Sequence, residues 1–322
     1  MGGEIPPADL PAEVASFAEV ATEAESTQAG ASQFGSPRTN LLRKFNGVKI
    51  FSNRHRQLGN EAFIEIDMNI AKTKIPSTKG NLAATINYPK KETDRLAILC
   101  PGYLDSKDYK HLVGLAGVLS KQGYTVVRFD PTGTWESEGG ISDYTTTQYI
   151  DDIKNVLEYM LKQADYKQIL LGGHSRGGMV SILYAARDPR ISLVLGIMPS
   201  SGPMQGQRRE KWKKAGISIS SRDLPDNKNE KREFRVPFDH VLDRDQYDAI
   251  GDVREVEAPI VLVAGELDDL VLPGDVREIF NSANEPKRFL VIPGIGHDYR
   301  HNESEVAMVN EKILEQLNSM QV

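Results

Sequence analysis

The sequence predicts an α/β fold in which a mostly parallel sheet is covered by helices on both faces. Three observations carry that prediction. Short apolar runs alternate with amphipathic helical segments from about residue 95 to the end. One such run leads through Gly172 into Gly173-His174-Ser175-Arg176-Gly177, and the chain then turns helical. Two later apolar runs end in loops that hold an acid cluster and a glycine-flanked histidine. The 322 residues suffice for one large core carrying an insertion.

The elements follow in chain order. Residues 62–68 alternate apolar and polar with a period of two, and 81–88 do so after the turn signal of Gly80, which predicts an antiparallel pair at a sheet edge. Residues 96–100 read as an apolar strand. Tyr109, Leu112, Leu115, Ala116 and Leu119 give a helix face that Gly123 stops. A strand at 125–129 and an amphipathic helix through Ile150, Ile153, Val156, Leu157, Met160 and Leu161 come next. The run 166–171 precedes the serine, a helix extends through Tyr184, and 191–198 form a strand. After an interruption, strands at 260–264 and 289–292 flank a helix around 276–280. Val306, Val309, Ile313 and Leu317 mark a closing helix.

The interruption spans about 201–250. It is polar, shows no clear period, and holds ten basic residues against five acids within 201–235. Such a stretch in a compact domain is expected to be a cap or binding loop. We therefore divide the chain into an extension over 1–60 and a domain over 61–322 with the cap inside it. The extension is expected to be largely disordered or loosely docked, because residues 1–35 hold six acids, no Lys or Arg, and much Ala, Gly and Ser.

That acidic segment also accounts for the net charge of −6. The remainder is close to neutral, so no overall field suggests nucleic acid. No apolar stretch reaches the length of a membrane span. Cys100 is the only cysteine, which rules out an intramolecular disulfide, and no secretory leader is apparent. A cytoplasmic location is the expectation.

The chemistry centres on Ser175. A serine at the tip of a sharp strand-to-helix turn needs neighbours without Cβ atoms, which Gly173 and Gly177 supply. Its hydroxyl needs a base, and the base needs an orienting carboxylate. The order Ser, acid, His is met by Ser175, the Glu266/Asp268/Asp269 cluster and His297. We take Asp268 as the partner of His297, with the other two acids capping turns or solvated. His55, His111, His174, His240 and His301 stand at no comparable strand end. The backbone N–H groups of Arg176 and Tyr103 are the expected oxyanion donors. The Arg176 side chain could bind substrate, but a salt bridge at or just behind the surface is the plainer reading.

These motifs resemble the α/β-hydrolase superfamily over roughly residues 60–320. The resemblance rests on Pro101-Gly102-Tyr103, on Arg128-Phe129-Asp130-Pro131-Thr132-Gly133 with Ser137 and Gly139, on the serine turn, and on the Asp268 and His297 loops. Within it the chain looks most like the feruloyl/cinnamoyl-esterase-like group, which carries a cap where 201–250 falls. Two departures stand out: Pro101 replaces the usual histidine before Gly102, and Trp135 occupies the second glycine position of the Asp130 motif.

The resemblance implies a serine esterase acting on a small-molecule ester through an acyl-enzyme, without metal or cofactor. A peptidase, amidase or thioesterase would use the same groups, and a non-catalytic binding protein could share the fold. Trp135, Trp212 and Phe234 are candidates to line the substrate site, the latter two alternatively anchoring the cap. The basic balance of 201–235 suits either an anionic substrate or a solvated cap surface, the latter being the plainer reading. Oligomeric state is not encoded in any motif of the chain.

Overall fold

Parallel strands need crossovers, and the alternation along this chain supplies a helix for each. The computed structural model describes residues 49–50 and 69–320. In chain order these form β1 Lys49–Ile50, β2 Asn69–Ser77, β3 Gly80–Tyr88, β4 Arg95–Cys100, α1 Lys110–Lys121, β5 Thr125–Phe129, α2 Thr146–Leu161, β6 Gln168–His174, α3 Arg176–Ala185 and β7 Leu193–Ile197. The insertion follows as α4 Gly206–Ala215, β8 Ile217–Asp223, β9 Lys231–Pro237, α5 Asp239–Arg244 and α6 Ala249–Asp252. The chain closes with β10 Ile260–Gly265, α7 Pro273–Ser282, β11 Lys287–Ile292 and α8 Glu303–Ser319.

Nine strands form one sheet in the order β1-β2-β3-β5-β4-β6-β7-β10-β11. β1, β2, β3 and β5 pair antiparallel in sequence along that edge. From β5 onward every pair is parallel. Alternate residues of each strand serve the two faces. Leu96 and Ile98 of β4 pack with Ile153 and Val156 of α2 and Ile182 of α3. Ala97 and Leu99 pack on the other side with Leu112 and Leu115 of α1 and Val309 and Ile313 of α8.

The strand order reverses between β4 and β6, since β5 lies outside β4 on one side and β7 outside β6 on the other. Loops leaving the carboxyl ends of these two strands diverge there and leave a crevice, the usual ligand position in an open α/β sheet. The loop after β4 begins at Pro101, and β6 runs into Ser175. Both therefore open at one crevice.

Two expectations shift. The strand expected at 62–68 lies outside the described residues, as does the extension over 1–60 save for β1. The strand that pairs with β3 is Asn69–Ser77, joined to it by a turn at Thr78-Lys79. It alternates too, with Ala71 and Ile75 buried and Lys72 and Lys74 exposed. The insertion, expected without period, is a helix, a β-hairpin and two short helices. Its signals were Ile217-Ser218-Ile219-Ser220, a period-two run, and Gly216, which ends α4 at φ 71° in the left-handed region. Among the described residues, no helix is long and apolar enough to cross a membrane.

Candidate active site

Ser175 sits between β6 and α3 at φ 54° and ψ −118°, a conformation that costs about 1–3 kcal/mol and holds only where the surroundings enforce it. They do so through close packing. A Cβ on Gly173 would stand 2.3 Å from the Cys100 carbonyl oxygen, and one on Gly177 only 2.0 Å from the same atom. The glycines let β6 and α3 approach β4 that closely.

The sharp turn presents Oγ to His297. His297 Nε2 lies 3.0 Å from Ser175 Oγ, and Nδ1 lies 2.7 Å from Asp268 Oδ2. The carboxylate can only accept, so Nδ1 carries the proton and Nε2 is left to accept from the serine hydroxyl. Asp268 Oδ1 accepts from the Leu270 and Val271 N–H groups at 2.9 and 2.8 Å, which fixes the carboxylate. Burial pushes the Asp268 carboxyl up, but the hydrogen bonds from His297 and the two amides outweigh it and leave it below its ordinary value. Of its neighbours, Glu266 accepts from the Gly294 N–H at 2.9 Å, and Asp269 is exposed.

In the loop after β4, Leu104 N–H donates to Tyr144 Oη at 3.1 Å and Asp105 N–H to the Gly102 carbonyl at 3.1 Å. Tyr103 N–H has no such partner among the described residues. Arg176 is the first residue of α3, where an N–H has no acceptor within the helix. Both expected oxyanion donors are thus unengaged. Leu104 takes φ 56°, and a Cβ on Gly102 would stand 2.5 Å from Asp105 Oδ2, so the carboxylate would have to shift.

The chain is similar to known proteins in sequence and in fold. Residues 91–250 match a family model described as serine aminopeptidase, S33. The α/β hydrolase GrgF from Penicillium sp. sh18 superposes with a TM-score of 0.63 at 19% identity, covering 76% of this chain and 96% of that one. Est1E from Butyrivibrio proteoclasticus, solved with ferulic acid bound, gives 0.60 at 23% identity, covering 76% and 99%. The chain has the α/β-hydrolase fold. By sequence, this α/β-hydrolase-fold chain is 23% identical over 177 residues to the mouse mitochondrial palmitoyl-protein thioesterase ABHD10, covering 54% of this chain and 59% of that protein. It is 26% identical over 203 residues to an uncharacterized protein of Mycobacterium tuberculosis, with 62% of each covered. The match therefore spans about three fifths of the length of these curated relatives.

Beside Ser175 and His297, this α/β-hydrolase-fold domain holds a cavity of about 270 Å³. Arg176, Arg208, Arg222 and Arg244 line it, against the carboxylates Asp105 and Asp298. Sequence reasoning missed these arginines as a group, because they meet only through the folding of the insertion over the serine turn. Arg176 corrects the expectation of a salt bridge near the surface. It is 2% exposed, has no carboxylate within ion-pair distance among the described residues, and lies over the Tyr144 ring at 4.3 Å.

The three aromatic candidates are elsewhere. Trp135, Trp212 and Phe234 line no wall of the cavity; Trp135 and Phe234 fasten the insertion to the body, and Trp212 packs within the insertion. Trp135 Nε1 donates to the Leu104 carbonyl at 3.0 Å, and its ring meets Phe234 edge-on at 5.5 Å. Trp212 stacks on His240 and donates to the Val236 carbonyl. The Asp130 motif is likewise structural: Asp130 accepts from Lys107 N–H at 2.8 Å and Nζ at 3.1 Å, and Ser137 Oγ donates to the Asp130 carbonyl at 2.6 Å.

Asp105, His111 and His174 bring three buried ligand atoms within 4.8 Å of one another behind the His297 ring. Burial pushes His111 down to about 3 and lowers His174 too, so both imidazoles are neutral and able to ligate a metal ion. Asp105 and His174 stand 3.7 Å apart at their closest polar atoms, beyond a direct hydrogen bond.

Proposed function

We propose that this protein is a serine hydrolase that cleaves a carboxylic ester through an acyl-enzyme. The observation that carries the reading is the continuous hydrogen-bonded chain from Ser175 through His297 to Asp268. Ser175 Oγ attacks the ester carbonyl as its proton passes to His297 Nε2. The resulting oxyanion is met by the N–H groups of Tyr103 and Arg176. Collapse breaks the carbon–oxygen bond, and His297 returns the proton to the leaving alcohol. Water, deprotonated by the same nitrogen, then releases the acid and restores the serine. Asp268 holds the imidazole tautomer and offsets its charge while it is protonated.

Two other activities are named among similar proteins, and the cavity weighs against the free amine of one and the long acyl chain of the other. The matching family model is described as a serine aminopeptidase, whose substrates carry a free ammonium group. Here that group would meet four guanidinium groups and two carboxylates that are each already paired with an arginine. The mouse relative is named a palmitoyl-protein thioesterase. A sixteen-carbon tail has little room in about 270 Å³ lined by arginines, a volume just under the range of about 300–1,000 Å³ that suits drug-sized ligands. A short ester or thioester fits better.

Labelling with a fluorophosphonate probe tests the reading. The wild-type protein is expected to label, and Ser175→Ala to lose labelling and lower 4-nitrophenyl acetate hydrolysis by on the order of 10⁵-fold at an unchanged melting temperature. Undiminished labelling of Ser175→Ala would overturn it.

A further inference from the structure

The cavity beside Ser175 is unbalanced in charge, and at Arg176 the unbalanced charge is buried. Of its four arginines only Arg222 has a carboxylate within 4.0 Å among the described residues, namely Asp105. The other acid at the wall, Asp298, pairs with Arg300 at 3.4 Å. Asp245, next to Arg244 in sequence, is taken by Arg209 at 2.7 Å. Arg176, Arg208 and Arg244 therefore face the cavity without a counter-charge.

Arg176 is held by more than packing. His240 Nδ1 lies 2.8 Å from the Tyr144 carbonyl, which can only accept, so Nδ1 carries the proton and Nε2 accepts from Arg176 Nη1 at 2.9 Å. Thr146 Oγ1 accepts from Arg176 Nη2 at 3.3 Å, and the Tyr144 ring backs the guanidinium plane. The fork is thus fixed in orientation while its charge stays uncompensated, and the Nε atoms of both Arg176 and Arg244 are buried with no acceptor. Burial, then the neighbouring Arg176 and Arg208, push Arg244 down to about 10, which leaves it charged at neutral pH. A buried unpaired guanidinium is costly unless something anionic meets it, and the planar fork matches carboxylate and phosphate oxygens.

Resting on the serine-hydrolase reading, we propose that the substrate is a short ester carrying an oxyanionic group, a carboxylate or a phosphate, which Arg176, Arg208 and Arg244 bind while Ser175 meets the ester carbonyl. Arg208 and Arg244 come from the insertion, so its basic residues are in part aimed inward and are more than a solvated surface.

The test uses Ser175→Ala, which cannot turn over, and calorimetric titration with two esters of equal length. These are the mono-4-nitrophenyl ester of glutaric acid and uncharged 4-nitrophenyl pentanoate. The charged ester is expected to bind at least tenfold more tightly, and Arg208→Gln or Arg244→Gln in the same background to reduce that ratio severalfold. Arg208 is exposed, so its replacement leaves the core intact. Displacement of the charged ester by propionate or by inorganic phosphate supports the proposal and tells which oxyanion the site prefers. Equal binding of the two esters, or a ratio that survives both replacements, overturns it. Fluorophosphonate labelling of the wild-type protein is read separately. Labelling without charge selectivity sinks only the anion proposal; charge selectivity without labelling sinks only the hydrolase reading.

Discussion

Glu266 Oε2 accepts a hydrogen bond from the Gly294 N–H at 2.9 Å, which ties the loop after β10 to the loop after β11. The first loop carries Asp268 and the second carries His297, so one side chain fixes the spacing of the two groups that must meet at 2.7 Å.

Glu266→Ala is therefore expected to lower kcat on 4-nitrophenyl acetate by about tenfold, since small displacements of reacting groups are amplified in rate. Glu266 is exposed, so its effect on stability is expected to stay under about 1 kcal/mol. Steady-state kinetics beside thermal melts separate the two effects.

Asp268→Asn keeps the shape but lets the amide donate to the ring, which turns the imidazole to the wrong tautomer. A loss in kcat on the order of 10³–10⁴ is expected. The same variant reports a pH dependence. The Asp268 carboxyl is held below its ordinary value in the folded protein, so between the folded and unfolded pKa values the unfolded chain binds more protons. Its contribution to stability is present above about pH 4 and fades as the pH falls below that. Wild-type and variant melting temperatures should converge at the acid end; a gap that widens there would contradict the assignment.

At Gly177 a Cβ would lie 2.0 Å from the Cys100 carbonyl oxygen, a backbone atom that cannot swing away. Gly177→Ala must part α3 from β4, and a loss of about 3 kcal/mol or more is expected. Soluble yield and the melting temperature of what remains soluble provide the measure.

Lys107 is 1% exposed, and its Nζ reaches Asp108 at 3.0 Å, Asp130 at 3.1 Å and Glu136. Lys107→Met strands the Asp130 charge in the interior, at a cost of about 3–5 kcal/mol. In a domain of this size that corresponds to a melting point lower by roughly 10 °C. Adding Asp130→Asn should recover part of the loss; a double variant worse than the sum would show that the pair is not coupled in this way.

The legible parts of the molecule were those where cause and effect are close along the chain. Continuous apolar runs such as 96–100 announce strands buried on both faces, and Gly173 and Gly177 announce the turn they permit. The triad candidates were legible because each follows its own strand. Strand β2 was not, because the exposed Lys72 and Lys74 weaken its apolar signal against residues 62–68. Nor was the setting of Arg176, whose partners Thr146 and His240 lie 30 and 64 residues away. Trp212 and Phe234 could be read from the sequence as substrate contacts or as cap anchors, because large rings serve equally well as either, and the same ambiguity holds for Trp135.

The anchors of the insertion have a consequence for how this scaffold can be altered. Arg222 donates to the Tyr103 carbonyl at 2.6 Å, Arg232 to the Trp135 carbonyl at 2.6 Å, and Tyr109 reaches back to the Asp223 carbonyl at 2.7 Å. The hairpin is sewn to the loop that carries Tyr103, the proposed oxyanion donor. Grafting a foreign cap at this point would disturb the chemistry along with the selectivity. New substrate ranges are therefore more accessible through single replacements within the hairpin and its helices than through exchange of the whole piece.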